Sequence, residues 1–438
     1  MFKRILLAAL FLISTAGAPS GRPGIENMIA SFKSSTKCSG VSVVVADHGG
    51  LSFYGDKEGL YQIGSMTKSF TGLGVQKLID EGVISETDTL AELIPGFTAY
   101  YEHRPIDIKV SDLLSHRSGF INSEVNYPSA TPGMSLSDWA KTMSGKELKF
   151  LPGHAYSYSN VNYNLLGLII EKKTGKSYKD YMQGSVLAPM GLSSTSAGTP
   201  QNGRIIEGSR LGFRGTFECK LPVSEGSIPA GYFYSNAEDI GKWMDAWING
   251  KEPGMESVLS HLSKEGDYYA GLERFKGDTI GHSGGTPNYS SRMVFSKSKG
   301  IGVCVLTNLN VAATTDSLCD NIFAELTGKA HGKLVCDVWT VFDIIFTSVS
   351  VAGTVLFVVI FFLKKKGFLI GTGSLLALLL ALMLILLPEI FEAGMKDIVL
   401  TWAPWSLASG MVILASGLAV TVIRIILVSL NARRAKTG

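Results

Sequence analysis

A serine and a lysine three residues apart form the stretch of this sequence best suited to chemistry. The segment Ser65–Lys68 follows Gly64 and starts a run of apolar residues at helical spacing that ends before Gly82. Side chains at this spacing share one face of a helix, so the Lys68 amine can contact the Ser65 hydroxyl. A lysine whose pKa is lowered by desolvation or by nearby cations can accept that proton and make the serine a nucleophile. The alternative is that Ser65 only caps the helix.

The serine–lysine spacing is not unique, because Ser34 with Lys37 and Ser296 with Lys299 share it. Other residues must therefore single out one copy. The tripeptide Tyr158–Asn160 is one such partner. A tyrosine beside a lysine can act as a phenolate or a proton shuttle, and an asparagine can orient the lysine and a substrate amide.

The same tripeptide recurs at Tyr234–Asn236, shortly before the acidic residues Glu238 and Asp239. Acids in the first turn after a serine or an asparagine are typical of a helix cap. We therefore expect the second copy to be structural, and Tyr158 and Asn160 to be catalytic.

A third candidate group is His282-Ser283-Gly284-Gly285. Small residues would let a strand lie against a substrate backbone, and the Gly285 amide could join the Ser65 amide in binding an oxyanion. Taken alone, the segment also fits a glycine-rich turn before a strand. The five cysteines include no C-x-x-C pair, so the sequence predicts no metal site, no thiol redox site and no cofactor. Cys304 fits a buried strand, and the pairing of the other four stays open.

Charge and hydropathy divide the chain of 438 residues into segments. The formal net charge of +3 gives no indication of a nucleic-acid partner. Residues 1–18 have the layout of a signal peptide, with an uncleaved anchor as the alternative. We expect a catalytic domain at 25–326, a linker at 327–340, three membrane helices within 341–430 and a tail at 431–438.

The predicted spans are Val341–Leu363, Phe368–Leu387 and Trp405–Ile423. Lysines 364–366 and the basic tail belong on the cytoplasmic side by the positive-inside rule, which puts everything before the first span outside. The sequence thus predicts a multi-pass protein of a bacterial inner membrane, with a periplasmic catalytic domain and the lipid bilayer as a partner. Asp343 and Arg424 lie near the ends of their spans, where we expect their side chains to reach the interface.

The outer domain is predicted to be α/β (α+β), with an antiparallel sheet and an inserted helical region. Two hairpins are predicted near its ends, the first around residues 41–54 and the second around 290–307. The segments between them are mostly helical in pattern. Strands at both ends of the domain favour a sheet whose terminal strands pair.

In their order and rough separation, the three motifs resemble those of the penicillin-recognising serine hydrolases, in particular their class C β-lactamase and DD-peptidase branch. Further matching stretches are Leu113–Gly119, Pro189–Leu192 and Pro229–Gly231. The resemblance covers roughly Ile25 to Leu326 and implies a β-lactamase/transpeptidase-like fold. It also implies Ser65 as the acylated nucleophile, Lys68 and Tyr158 as acid/base groups and Asn160 as a positioning residue, with an oxyanion hole at the amides of Ser65 and Gly285.

One departure from the family bears on the substrate. Many members carry Lys-Thr-Gly where this chain has His282-Ser283-Gly284, and the lysine binds the substrate carboxylate. A histidine is mostly neutral at pH 7, so the resemblance favours esterases, aminopeptidases and amidases over efficient β-lactamases. The layout of signal peptide, hydrolase domain and three spans is similar to that of prodrug-maturing peptidases of the colibactin type.

The preferred function is accordingly a membrane-anchored serine peptidase acting on a small peptide-like or N-acyl-amino-acid substrate, with a D-residue near the scissile bond. A β-lactamase and a carboxylesterase are the alternatives within the same fold. A membrane sensor that is acylated without turnover is the alternative outside enzymes. The oligomeric state stays open.

Overall fold

The computed structural model describes residues 24–48, 50–265 and 267–437, which divide into two units. The N-terminal unit contains the described residues up to Ser209 together with Glu218–Asp337. The C-terminal unit contains Arg210–Phe217 and the described residues from Val338 onward. The predicted signal peptide, residues 1–18, lies outside the described residues.

Short strands and one large sheet make up the β structure, and all strands except β8 and β9 belong to the N-terminal unit. The strands are β1 (Val41–Asp47), β2 (Gly50–Tyr54), β3 (Tyr61–Gln62), β4 (Ala99–Tyr101), β5 (Arg104–Ile106), β6 (Lys146–Glu147), β7 (Ser196–Ala197), β8 (Ser209–Gly212), β9 (Gly215–Glu218), β10 (Phe233–Ser235), β11 (Tyr268–Tyr269), β12 (Leu272–Arg274), β13 (Thr279–Thr286), β14 (Tyr289–Ser296) and β15 (Ile301–Thr307). Over the described ranges, seven of them form a sheet in the order β11-β12-β13-β14-β15-β1-β2. Strands β8 and β9 form a separate hairpin that joins the two units in sequence.

The pairing of the large sheet confirms the predicted topology. Each neighbouring pair is antiparallel, and β1 pairs with β15 from Val41 opposite Thr307 to Asp47 opposite Ile301. The two predicted hairpins are β1–β2 and β14–β15. The His282–Gly285 segment lies inside β13, so it is a strand rather than a turn before one.

Helices fill the sequence between these strands and beyond them. They are α1 (Ile25–Thr36), α2 (Thr67–Asp80), α3 (Leu90–Leu93), α4 (Val110–Leu114), α5 (Leu136–Met143), α6 (Asn160–Thr174), α7 (Tyr178–Met182), α8 (Ile228–Gly231), α9 (Ala237–Asn249), α10 (Met255–Glu265), α11 (Ala312–Leu326), α12 (Val338–Phe362), α13 (Lys366–Phe391), α14 (Met395–Asp397) and α15 (Trp405–Thr437). The predicted helices around residues 67–81, 111–114, 163–173, 179–186 and 237–247 are present with shifted ends.

The sheet is covered on both faces, which explains why every residue of β1 before Asp47 is buried. Helix α9 packs on β1 and β15, with Trp243 and Trp247 in the same core cluster as Val44 and Leu306. Helix α11 packs on β14 and β15, where the Cys319 thiol donates to the Val303 carbonyl at 3.4 Å. This burial gives β13 a rigid base.

All five cysteines of the chain are free thiols. Cys304 is fully buried in β15, as its strand pattern predicted. Cys38, Cys219 and Cys319 are also buried, while Cys336 is exposed. The exported-domain disulfides that the sequence left open are therefore not formed.

The C-terminal unit contains three long apolar helices. In the described part of the chain, α12, α13 and residues 405–434 of α15 are long and apolar enough to cross a membrane. Helix α12 begins inside the predicted linker, at Val338, and α15 continues through the predicted tail to Thr437. The Asp343 side chain does not extend outward from the helices, because it is buried and accepts hydrogen bonds from Ser406 Oγ at 2.6 Å and Arg214 N at 2.7 Å.

Candidate active site

Ser65 lies on a tight turn, Gly64–Met66, that leads directly into helix α2. The turn is 3-10 rather than α-helical, and the side chain of Lys68 still lies on the same face as Ser65. Lys68 Nζ is 3.0 Å from Ser65 Oγ. Lys68 is fully buried, whereas Ser65 is only partly buried and accessible to a substrate.

The other neighbours of Lys68 Nζ determine what this amine can do. It donates to Asn160 Oδ1 at 2.8 Å and to the Ala230 carbonyl oxygen at 2.5 Å. Both partners only accept, so they take the two N–H bonds of a neutral amine and leave its lone pair for the Ser65 hydroxyl. Burial lowers the pKa of Lys68 well below its ordinary value. The arrangement can remove a proton from Ser65.

Tyr158 is held in place through His116. The His116 carbonyl accepts from Ser157 N at 2.8 Å, and His116 Nδ1 accepts from Ser159 N at 3.2 Å and from Asn162 Nδ2 at 2.8 Å. The two rings stack at a tilt, with centroids 4.4 Å apart. Burial lowers the pKa of His116 well below its usual range, so it is a neutral group that fixes the backbone on both sides of Tyr158.

The phenol of Tyr158 stays protonated at neutral pH. Burial raises its pKa above the ordinary value, and the nearby Ser65 hydroxyl only partly opposes this. The Tyr158 ring centroid lies 4.8 Å from Lys68 Nζ. The Tyr158 hydroxyl is buried and has no hydrogen-bond partner among the described residues. A neutral phenol beside Lys68 can pass a proton but is not a resting phenolate, so of the two roles that the sequence left open the shuttle fits better.

Glycines bring β13 against the turn that carries Ser65. A Cβ on Gly64, whose φ is +52°, would lie 2.4 Å from Gly285 N, and a Cβ on Gly284 would lie 2.1 Å from the Ile63 carbonyl oxygen. Neither position tolerates a side chain. A Cβ on Gly285 would meet nothing within 4 Å. The Gly285 amide therefore lies beside the start of the Ser65 turn with open space next to it, as an oxyanion donor requires.

His282 is buried, and both of its ring nitrogens are occupied. Nδ1 lies 2.5 Å from the Ser283 carbonyl oxygen and must donate to it, so Nε2 carries the lone pair and accepts from Tyr268 Oη at 3.0 Å. Burial and the nearby Lys68 lower the pKa of His282 to about 3. Sequence reasoning missed Tyr268, since nothing in its local sequence connects it to β13.

Ser283 is a predicted site residue, but its side chain bonds residues outside the group around Ser65. Its hydroxyl donates to Asp316 Oδ2 at 2.9 Å and accepts from Arg292 Nη1 at 2.7 Å. Arg292 in turn donates from Nε to Asp320 Oδ1 at 2.8 Å. Burial opposes the Arg292 charge, but Asp316 and Asp320 outweigh it and raise the pKa of Arg292. This cation is already paired.

The two other serine–lysine copies and the second tyrosine motif lack these partners. Ser296 Oγ donates to Asp278 Oδ2 at 2.5 Å. Lys37 caps the end of α1 in a left-handed conformation. Asn236 caps α9 by accepting from Asp239 N at 2.8 Å, which is the structural role predicted for it.

The part of the chain that is similar to known proteins contains the site residues. The chain matches the beta-lactamase family model over residues 25–322. Protein flp of Staphylococcus aureus strain MRSA252 is 26% identical over 381 residues, which cover 78% of this chain and 75% of that protein. The Escherichia coli K12 protein named "Putative D-alanyl-D-alanine carboxypeptidase" is 34% identical over 149 residues, 31% of this chain and 33% of that protein.

Two solved structures share the fold. The octameric penicillin-binding protein homologue from Pyrococcus abyssi has a TM-score of 0.62 at 24% identity, covering 71% of this chain and 78% of that chain. The D-stereospecific amidohydrolase from Streptomyces sp. has a TM-score of 0.56 at 20% identity, covering 70% of this chain and 100% of that chain. The antiparallel sheet, the inserted helices and the extent of the family match lead to one conclusion: the chain belongs to the beta-lactamase family of serine hydrolases, the beta-lactamase and penicillin-binding protein type.

Proposed function

We propose that this protein is a membrane-anchored serine peptidase that cleaves an amide bond through an acyl-enzyme on Ser65. The observation that carries the proposal is the set of neighbours of Lys68: two acceptor-only groups, Asn160 Oδ1 and the Ala230 carbonyl, and the Ser65 hydroxyl. A buried neutral amine in that geometry is a general base for the serine.

Acylation begins when Ser65 Oγ attacks the substrate carbonyl carbon and Lys68 Nζ takes the hydroxyl proton. The carbonyl oxygen becomes an oxyanion, which the backbone amides of Ser65 and Gly285 bind. Lys68 then returns the proton through Tyr158 to the leaving nitrogen. The C–N bond breaks, an amine departs, and the acyl group remains as an ester on Ser65.

Deacylation reverses the proton path with water as the nucleophile. Water attacks the ester carbonyl while Tyr158 and Lys68 accept its proton, and the proton goes back to Ser65 Oγ as the C–O bond breaks. The products are a free acid and the regenerated enzyme, so no cofactor takes part in the reaction.

The charges around β13 support a substrate that is not a free carboxylate next to the scissile bond. His282 is neutral with both nitrogens engaged, and Arg292 is paired with Asp316 and Asp320. A carboxylate placed there would lose its water without gaining a cation. An amide, an ester or a continuing peptide carries no such penalty.

A cavity of about 660 Å³ has Tyr156 and Tyr268 in its wall, and both rings also pack near His116. The catalytic candidates Ser65, Lys68 and Tyr158 do not line it. Its mostly acidic wall therefore does not decide which substrate charge the reacting groups accept.

The names of two similar proteins support a D-residue in the substrate. One is a D-stereospecific amidohydrolase and the other carries the name of a D-alanyl-D-alanine carboxypeptidase. We therefore propose N-acyl-D-amino-acid amides and related small peptides as the substrate class, and maturation of an exported prodrug as one such reaction. The three apolar helices would hold the catalytic domain at the periplasmic face of a bacterial inner membrane.

Intact-mass spectrometry of acyl adducts tests the proposal. The panel contains N-acyl-D-amino-acid amides, their L-isomers, simple esters and penicillins, with Ser65→Ala as the matched control. We expect a transient adduct on the wild type with the D-amides and none on Ser65→Ala. Faster turnover of esters or of nitrocefin would favour an esterase or a β-lactamase, and a permanent adduct without turnover would favour a sensor.

His282→Lys tests the charge argument separately. A lysine at this position adds a cation that can bond a substrate carboxylate, worth about 1.5–3 kcal/mol for a charged hydrogen bond, or roughly 10- to 100-fold in acylation rate. We expect penicillins to acylate this variant faster than wild type. An unchanged rate, with Ser65 still reactive toward amides, would contradict the explanation.

A further inference from the structure

The hairpin Arg210–Phe217 belongs to the C-terminal unit although its sequence lies within the predicted catalytic domain. Strands β8 and β9 form the hairpin, and Phe213 and Arg214 form its tip. Both tip residues have positive φ, 52° and 61°, as a tight two-residue turn requires. Glycine or asparagine adopts this conformation at lower cost. The tip nevertheless has an aromatic and a cationic residue, although the backbone conformation favours neither.

Arg210 fixes one side of the hairpin to the segment before α15. Its guanidinium donates to the Leu400 carbonyl at 2.7 Å, to the Val399 carbonyl at 3.0 Å and also to the Ala403 carbonyl. It lies 4.4 Å from the ring centroid of Trp405. These carbonyls end a helical turn and lack intrahelical partners, so a buried guanidinium satisfies them.

Asp343 fixes the other side of the hairpin to α12. Its carboxylate accepts from Arg214 N at 2.7 Å and from Ser406 Oγ at 2.6 Å, and it is buried. The hairpin is thus attached to residues at the starts of α12 and α15. Those starts are the ends of two apolar helices, where a bilayer gives way to water.

The hairpin exposes apolar surface at this level. Phe213 and Phe217 are each 47% exposed, and over the described residues outside α12, α13 and α15 no other phenylalanine is exposed. Gly212 places this surface next to Trp405, because a Cβ on Gly212 would lie 2.9 Å from Trp405 Cβ and 3.3 Å from Phe217 Cε2. The exposed aromatic surface is therefore continuous with that of the apolar helices.

We propose that Phe213 and Phe217 insert into the headgroup region of the lipid bilayer, so that the hairpin is an interfacial anchor of the C-terminal unit. Phenylalanine is among the apolar residues that interfacial segments bury at the boundary between headgroups and acyl chains. The inference rests on the membrane anchoring in the proposed function. It adds a lipid-binding element that lies outside the three apolar helices.

Photocrosslinking in vesicles of phosphatidylethanolamine and phosphatidylglycerol tests the inference. Benzoylphenylalanine replaces Phe213 or Phe217 in the full chain, and mass spectrometry detects lipid adducts after irradiation. Leu378, 56% exposed on α13, is the positive control, and Tyr156, 51% exposed in the N-terminal unit, is the negative control. We expect lipid adducts at 213, 217 and 378, and none at 156.

The outcomes separate the two proposals. Adducts at 378 but not at 213 and 217 would overturn the interfacial anchor and leave the membrane helices in place. Loss of adducts at all three positions would overturn the membrane anchoring as well. Arg210→Ala removes the bonds to the three carbonyls, so we expect it to reduce the adducts at 213 without changing those at 378. An unchanged yield at 213 would show that Arg210 does not set the depth of the hairpin.

Discussion

Lys68 and Arg292 are two buried basic side chains, and their surroundings shift their pKa values in opposite directions. Lys68 has two neutral acceptors and a serine hydroxyl around it. Arg292 has Asp320 at 2.8 Å and Asp316 at 3.8 Å. Burial therefore lowers the pKa of the lysine and favours its neutral form, while the carboxylates raise the pKa of the arginine and keep its charge.

The difference shows how a fold separates a reactive amine from a structural cation. A guanidinium keeps its proton in proteins, so it needs counter-charges when it is buried. Here Arg292 also donates a hydrogen bond to Ser283 on β13. An ammonium loses its proton more easily on burial, and neutral acceptors suffice to hold the resulting amine. Among the described residues no carboxylate bonds Lys68, and we expect the reactivity of Ser65 to depend on this.

The largest effect is expected when position 68 carries a permanent charge. Lys68→Arg introduces a permanent cation that cannot accept a proton, so we expect kcat/KM to fall by about 10³-fold or more, with no recovery on raising the pH. Steady-state kinetics on an amide that acylates the wild type measures the loss. Activity within tenfold of wild type would mean that position 68 acts by its charge and not as a base.

Tyr158→Phe tests whether Tyr158 only passes the proton from Lys68 to the leaving group. If Lys68 is the base, Tyr158 only passes the proton to the leaving group, and we expect a loss of about 10²- to 10³-fold, smaller than for Lys68→Arg. The loss should fall mainly on kcat for poor leaving groups such as alkylamines and should be smaller for activated esters. An equal loss for both substrate types would contradict the shuttle role.

Arg292→Met tests the structural cation. The change leaves Asp316 and Asp320 without their cationic partner, and we expect a loss of about 1–3 kcal/mol in the free energy of unfolding. The value is below that of a fully buried pair because the Asp320 side chain is 51% exposed. Thermal unfolding in detergent measures it, and the double variant with Asp320→Asn should recover part of the loss. No change in the melting temperature would show that the pair does not stabilise the sheet.

The smallest expected effect is in the pH profile. Activity needs neutral Lys68, so kcat/KM should rise with pH through the lowered pKa of Lys68 and reach its plateau well below pH 10.5. No step is expected near pH 6.5, since burial lowers the pKa of His116 well below that value and that of His282 to about 3. Below its pKa His282 gains a proton, which adds a cation beside Lys68 and opposes protonation of the base.

Tyr268→Phe is the matched variant for that profile. It removes the hydroxyl that donates to His282 Nε2 and leaves the ring in place, so the pKa of His282 should rise. The rise should stay below about 1 pH unit, because one hydrogen bond is worth about 1 kcal/mol and because burial and Lys68, which hold the pKa at about 3, are unchanged. We expect the acid limb of the profile to move by no more than that. Tyr156→Phe, which changes a neighbouring tyrosine not bonded to His282, is the control. A wild-type step near pH 6.5 would contradict the buried neutral histidine.

Much of the fold was predictable because its signals are local. The alternation and turns of β1–β2 and β14–β15, and the helical spacing after Ser65, each fall within a short window of sequence. The three apolar helices were predictable from length and hydropathy alone. The hairpin Arg210–Phe217 was not, because its assignment to the C-terminal unit depends on Arg210 and Asp343, whose partners are far away in sequence.

The candidate site likewise contains residues that the sequence indicated and contacts that it did not. The motif order indicated Ser65, Lys68, Tyr158, Asn160 and the glycines of β13. It could not indicate Tyr268, whose importance comes from a contact with His282, or show that Ser283 bonds Asp316 rather than facing Ser65. A side chain's partners across a sheet are not encoded in its immediate neighbours.

The residue types and their order along the chain define the functional groups that are available: a serine with a lysine one helical turn away, a tyrosine, a glycine-rich strand and apolar helices. The partners of these side chains, and the shifts in their pKa values, come from residues that the fold brings together. The Ala230 carbonyl that holds Lys68 lies 162 residues away in the chain. Because a pKa depends on burial and on neighbours in space, the lowered pKa of Lys68 is a property of the folded chain.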